Sequence, residues 1–83
     1  MAYLIKFKPS AEKELDSLPQ KDSYRIKTAL VGLETNPFSG KRLEGEYKGC
    51  CAIRVWPYRV IYQIYKKELL VLIIRIGHRQ GVY

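Results

Sequence analysis

The sequence predicts an α+β fold: an N-terminal strand, a two-helix hairpin, then an antiparallel three-stranded meander, with the strands in one twisted sheet and the helices on one of its faces. Three observations predict it. Tyr3, Ile5 and Phe7 alternate with Leu4, Lys6 and Lys8, the period of two that a half-buried strand requires. Between residues 11 and 34 the apolar positions recur at helical spacing instead, and Pro19 divides that stretch in two. Beyond residue 50 the chain returns to strand-like runs rich in valine, isoleucine and tyrosine.

The elements follow in order. Pro9-Ser10 ends the first strand. Ser10 is the expected cap of the first helix, because its hydroxyl oxygen accepts from N–H groups left unpaired in the first turn; Glu12 and Glu14 place negative charge where the helix dipole favours it. Ala11, Leu15 and Leu18 supply the buried stripe of that helix. A second helix is expected over residues 20–34, with Ile26, Leu30 and Leu33 on one face, closed by Asn36-Pro37. Residues 39–49 hold Gly40, Gly45 and Gly49 among charged side chains and read as a loop with room for one short strand. Strands are then expected over about residues 50–55, 58–65 and 69–76. The last contains Leu-Leu-Val-Leu-Ile-Ile, apolar on both faces, which predicts an inner strand. Tyr58 and Tyr62 alternate into the sheet and are expected in the core, and Gly77 lets the chain turn after the strand.

A chain of 83 residues makes one domain, residues 1–83, and any site must lie on the surface of its one core. The formal charge is +7, unevenly placed: residues 1–40 carry a net +1 and residues 41–83 a net +6. A basic second half predicts a face toward a polyanion, with nucleic acid or the ribosome ahead of an acidic protein partner. The apolar run at residues 69–74 is far short of the ~20 residues that span a bilayer, so no membrane partner is expected. The N-terminal residues lack a signal-peptide layout, and Cys50 and Cys51 are adjacent with no third cysteine, which fits a reducing cytoplasm. Those two thiols and the single His78 lack ligand spacing, so neither a metal site nor a Cys/His nucleophile is expected, and no cofactor is implied.

The chemistry-bearing residues lie at the sheet's turn and at the end of the chain. Whether the loop at Val55-Trp56-Pro57-Tyr58 has two residues or four, pairing places Arg54 directly opposite Arg59. Opposed like charges destabilise a sheet by about 0.2–1 kcal/mol, a cost that an anion held between two guanidinium groups would remove. Antiparallel pairing of the last strand with residues 58–65 would bring Arg79, and with it His78 and Tyr83, toward the same turn. Three arginines, a tyrosine and a histidine suit phosphoryl chemistry on RNA, where cations neutralise the charge building on phosphorus. They do not suit glycoside hydrolysis or a metal-dependent nuclease, both of which need carboxylates. Lys41, Arg42 and Lys48, among the glycines of residues 39–49, are candidate contacts to RNA phosphates.

The run Leu43-Glu-Gly…Gly49-Cys-Cys-Ala-Ile-Arg54-Val…Tyr58-Arg59-Val-Ile-Tyr62, followed by Arg75-Ile-Gly-His-Arg79…Val82-Tyr83, resembles the RelE/ParE toxin superfamily, and within it the RelE-like branch of type II toxin–antitoxin systems. The resemblance implies a small α+β domain with a sheet like that of microbial ribonucleases. It implies a ribosome-dependent messenger RNA endonuclease that cuts in the A site by attack of the 2′-hydroxyl on the adjacent phosphate, neutralised by a cognate acidic, RelB-like antitoxin. By the same resemblance Arg59 and Arg79 hold the phosphate, Tyr83 stacks on a base or guides the 2′-hydroxyl, and Arg54 assists charge neutralisation or proton transfer.

Two departures from the family pattern stand out. Ala52 lies where the family usually has a second basic residue, so activity is expected to be weakened or to draw on a neighbour, of which His78 is the obvious one, although a structural or RNA-stacking, RNA-binding role is the first expectation for His78. Trp56-Pro57 replaces a Gly-Asp-like turn, which implies a cis bond or a wider loop and leaves Trp56 to cover the site or stack on a base. Two other functions remain open: a ParE-like DNA gyrase inhibitor, and an attenuated member that only binds antitoxin or RNA.

Overall fold

The computed structural model describes residues 2–78. Its elements are β1 (Leu4–Phe7), α1 (Pro9–Asp16), α2 (Gln20–Leu33), β2 (Lys41–Arg42), β3 (Cys51–Val55), β4 (Tyr58–Tyr65) and β5 (Leu70–His78), with short 3₁₀ turns at Pro37–Ser39 and Gly45–Tyr47. The α+β expectation holds, with two helices and one five-stranded sheet in the order β1-β5-β4-β3-β2. β3, β4 and β5 form the expected meander, and β5 is an inner strand. β1 lies parallel to β5, so the sheet is mixed, and β2 adds a two-residue edge within the segment expected to be a loop.

The cap of α1 is corrected. Pro9 itself takes the first helical position, where a missing N–H costs nothing, and the capping residue is the extended Lys8, which makes no side-chain capping bond. Ser10 therefore sits within the first turn rather than ahead of it.

Both helices bury their stripes against one face of the sheet. Ala11, Leu15, Ile26, Leu30 and Leu33 pack with Tyr58, Val60, Tyr62, Val71, Ile73 and Ile76. The two tyrosines anchor this layer by their hydroxyls: Tyr62 donates to the Pro37 carbonyl at 2.7 Å and Tyr58 to the Asp22 carboxylate at 2.7 Å. Ile73 and Ile76 face the same side although three residues apart, because the β4–β5 register shifts at Ile61/Tyr62 and leaves Ile74 as an extra residue on β5. On the opposite face a smaller apolar cluster forms: Ala52 and Ile61 are buried beneath Leu43, Tyr47, Cys50 and Ile74. The 43–50 segment thus covers one end of the face that the helices leave open.

Candidate functional site

At the other end of that face the strands align a row of residues. Arg54 on β3 is the register partner of Arg59 on β4, and Arg59 is the partner of Gly77 on β5. The β3–β4 connection has two residues, since Val55 pairs with Tyr58, and Trp56-Pro57 is cis. Arg54 is exposed and Arg59 half-buried. Gly77 contributes no side chain to that row. Two guanidinium groups in register on one face are suited to hold a phosphodiester by its equatorial oxygens.

A second row runs parallel to the first, from Lys41 through Ala52 and Ile61 to Arg75. Arg75 is drawn toward α1: its Nη1 donates to the Tyr47 hydroxyl at 3.4 Å, and its Nε lies 3.6 Å from Oε2 of Glu14. The Tyr47 hydroxyl raises the Arg75 pKa above its usual value, with Glu14 and Glu46 adding to the effect. Lys8, Ser10, Glu14, Tyr47, Ile74 and Arg75 line a cavity of about 320 Å³ there.

The remaining sequence candidates divide between faces. Lys41 shares the arginines' face, whereas its neighbour Arg42 is registered with Cys51 and Tyr62 on the helix side, where it lines a cavity of about 370 Å³ with Phe38, Cys51, Ile64 and Lys66. Lys48 is exposed on the 43–50 segment. Trp56 sits 54 % exposed in the turn that joins the strands of Arg54 and Arg59. His78 is not brought to the arginines: it pairs with Tyr58, and their rings meet edge-to-face at 6.0 Å, on the row that faces the helices. Arg79 and Tyr83 lie outside the described residues.

Ala52 takes on a different meaning in the structure. At 7 % exposure under Leu43 and Tyr47 it is a packing residue, and a small side chain is what lets the 43–50 segment close over Ile61. Both cysteines are unbridged, and burial pushes their thiol pKa values up, away from thiolate reactivity. No helix among the described residues is long and apolar enough to cross a membrane. Glu14 and Tyr47 carried no recognisable functional signal in the sequence. Arg75 did, as the one charge within an otherwise apolar run.

A helix hairpin thus backs one face of this mixed sheet, and Arg54 and Arg59 stand in register on the other. Residues 5–83 match the family described as the ParE toxin of the type II parDE system, and the chain belongs to that RelE/ParE family. It is similar to toxin RelG of Mycobacterium tuberculosis, with 32 % identity covering 100 % of this chain and 98 % of that one. Among solved structures it resembles the toxin–antitoxin complex RelBE2 of M. tuberculosis, with TM-score 0.87, 30 % identity, and 95 % and 93 % of the two chains covered. It likewise resembles the archaeal RelE–RelB complex of Pyrococcus horikoshii, with TM-score 0.80 and 30 % identity over 100 % of each chain.

Proposed function

We propose that this toxin is a ribosome-dependent endoribonuclease that cuts messenger RNA in the A site and is held inactive by an acidic, RelB-like antitoxin in the cytoplasm. The observation that carries the reading is the row Arg54–Arg59–Gly77 on the face that the helices leave open. The 2′-hydroxyl oxygen of one nucleotide attacks the adjacent phosphorus. The bond to the 5′-oxygen of the next nucleotide breaks, giving a 2′,3′-cyclic phosphate and a 5′-hydroxyl. Arg54 and Arg59 neutralise the charge that grows on the phosphate oxygens, and Arg79 and Tyr83 complete the set as second phosphate ligand and base-stacking group. Lys41 and Lys48 extend the positive surface toward ribosomal RNA, and Trp56 offers a stacking surface for a base. His78, facing Tyr58, acts through packing rather than proton transfer.

Primer extension on a defined messenger in translating ribosomes tests this, with wild type beside Arg59→Ala and Arg79→Ala. Cuts within A-site codons by the wild type alone are expected; an intact messenger beside a toxic wild type would sink the reading. The match to the ParE family favours one second reading, inhibition of DNA gyrase without RNA cleavage. A supercoiling assay with purified toxin separates the two.

A further inference from the structure

We propose that Glu14 is a positioning residue: where β1 ends, its carboxylate takes over as the edge partner of β5 and keeps the strand's last residues in register with the arginine row. β1 pairs with β5 only as far as Phe7 opposite Ile73, and the last backbone bond from that side runs from the Lys8 N–H to the Ile73 carbonyl at 2.9 Å. β5 continues to His78, and among the described residues no strand lies beside its outer edge beyond Ile73. α1 lies there, and the Ile76 N–H donates to Oε1 of Glu14 at 2.8 Å. The other carboxylate oxygen, Oε2, lies 3.6 Å from Nε of Arg75. One side chain thus satisfies a backbone donor that the sheet would leave unpaired and holds the neighbouring cation aside.

The location gives the contact its consequence. It falls just after the extra residue Ile74, where the ladder has slipped by one and register is least secured by its own bonds. The next residue along, Gly77, is the one aligned with Arg59. A slip at Ile76 would turn the end of β5 over and change what stands beside Arg59. Glu14 touches no reacting atom; it acts through the strand it holds.

The catalytic half of this inference rests on the RNA-cutting reading, and the experiment keeps the two apart. Amide hydrogen exchange, and kcat and KM for messenger cleavage on translating ribosomes, are measured for wild type, Glu14→Ala, Glu14→Gln and Arg75→Met, with the Val60 amide as a control for global opening. Glu14→Ala is expected to speed exchange at Ile76 by ~10-fold or more over the control. It is also expected to lower kcat by ~10–100-fold with KM nearly unchanged, since misplacement by an ångström costs rate more than binding. Glu14→Gln keeps the acceptor and should restore both, and Arg75→Met should leave Ile76 protected. Unchanged exchange at Ile76 in Glu14→Ala, or a glutamine variant that behaves like alanine, overturns the clamp. Faster exchange with an unchanged kcat overturns the positioning role. If Glu14→Ala does not fold, the glutamine variant decides by the same two readouts. A wild type that cuts no RNA overturns the proposed function, and the clamp is then judged on Ile76 exchange alone.

Discussion

Arg59 sits between Arg54 and Gly77 in its row, and its half-buried position fixes the planar fork more firmly than that of the exposed Arg54. Arg59→Ala should therefore lower single-turnover cleavage by ~10²–10³-fold, the usual cost of losing one preorganised donor to a developing oxyanion. Arg59→Lys should recover only part of that loss, because an ammonium keeps the charge without the paired donors. Equal rates for lysine and arginine would show that charge alone matters. Ala52 makes an opposite prediction. If alanine there marks a lost catalytic base, Ala52→Lys should speed cleavage. Its burial under Leu43 and Tyr47 argues instead for a loss of about 1–3 kcal/mol in urea denaturation and no gain in rate, because the longer side chain must displace the 43–50 segment or bury its charge. The opposition of Arg54 and Arg59 was legible in the sequence, since either loop length gives the same pairing. The burial of Ala52 was not, because it depends on a segment distant from β4 in sequence whose glycines permit many paths.

At the scale of elements, β4 and the two helices were the most legible, since each carries one unbroken period. β5 was legible as an inner strand but not as a bulged one: with apolar residues on both faces, its sequence gives no mark where the alternation slips at Ile74. Arg42 shows the same limit, because one residue decides the face and the two-residue β2 is too short for a pattern. The 39–49 segment is held to the sheet at Gly40, where an added Cβ would collide with the Tyr62 hydroxyl and come within 2.9 Å of the Ala52 carbonyl oxygen. The hydroxyl cannot retreat without losing its bond to Pro37. Gly40→Ala should cost about 1–3 kcal/mol through overpacking, measured as a lowered urea midpoint with an unchanged slope.

For the whole molecule, the buried phenols set an alkaline limit. Burial pushes the Tyr62 pKa up to about 12, with the neighbouring Cys51 adding to it, and hydrogen bonding to Asp22 raises that of Tyr58. An unfolded tyrosine ionises near ~10, so the stability these groups contribute is complete below that pH and is lost as pH rises toward 12. Urea midpoints should fall steeply between about pH 10 and 12, and Tyr62→Phe, though less stable at neutral pH, should flatten the fall. A midpoint independent of pH over that range would refute the account. The class of the fold, the basic character of the second half and the pairing of Arg54 with Arg59 were all written in the chain, because each follows from local periodicity, from composition or from a single turn. That β1 runs parallel beside β5, that Glu14 continues that edge, that His78 meets Tyr58 and that Ala52 is covered became visible in the folded chain alone. Each of these depends on which distant segments pack together, and the hydrophobic pattern that drives the packing names the faces to be buried without naming their neighbours.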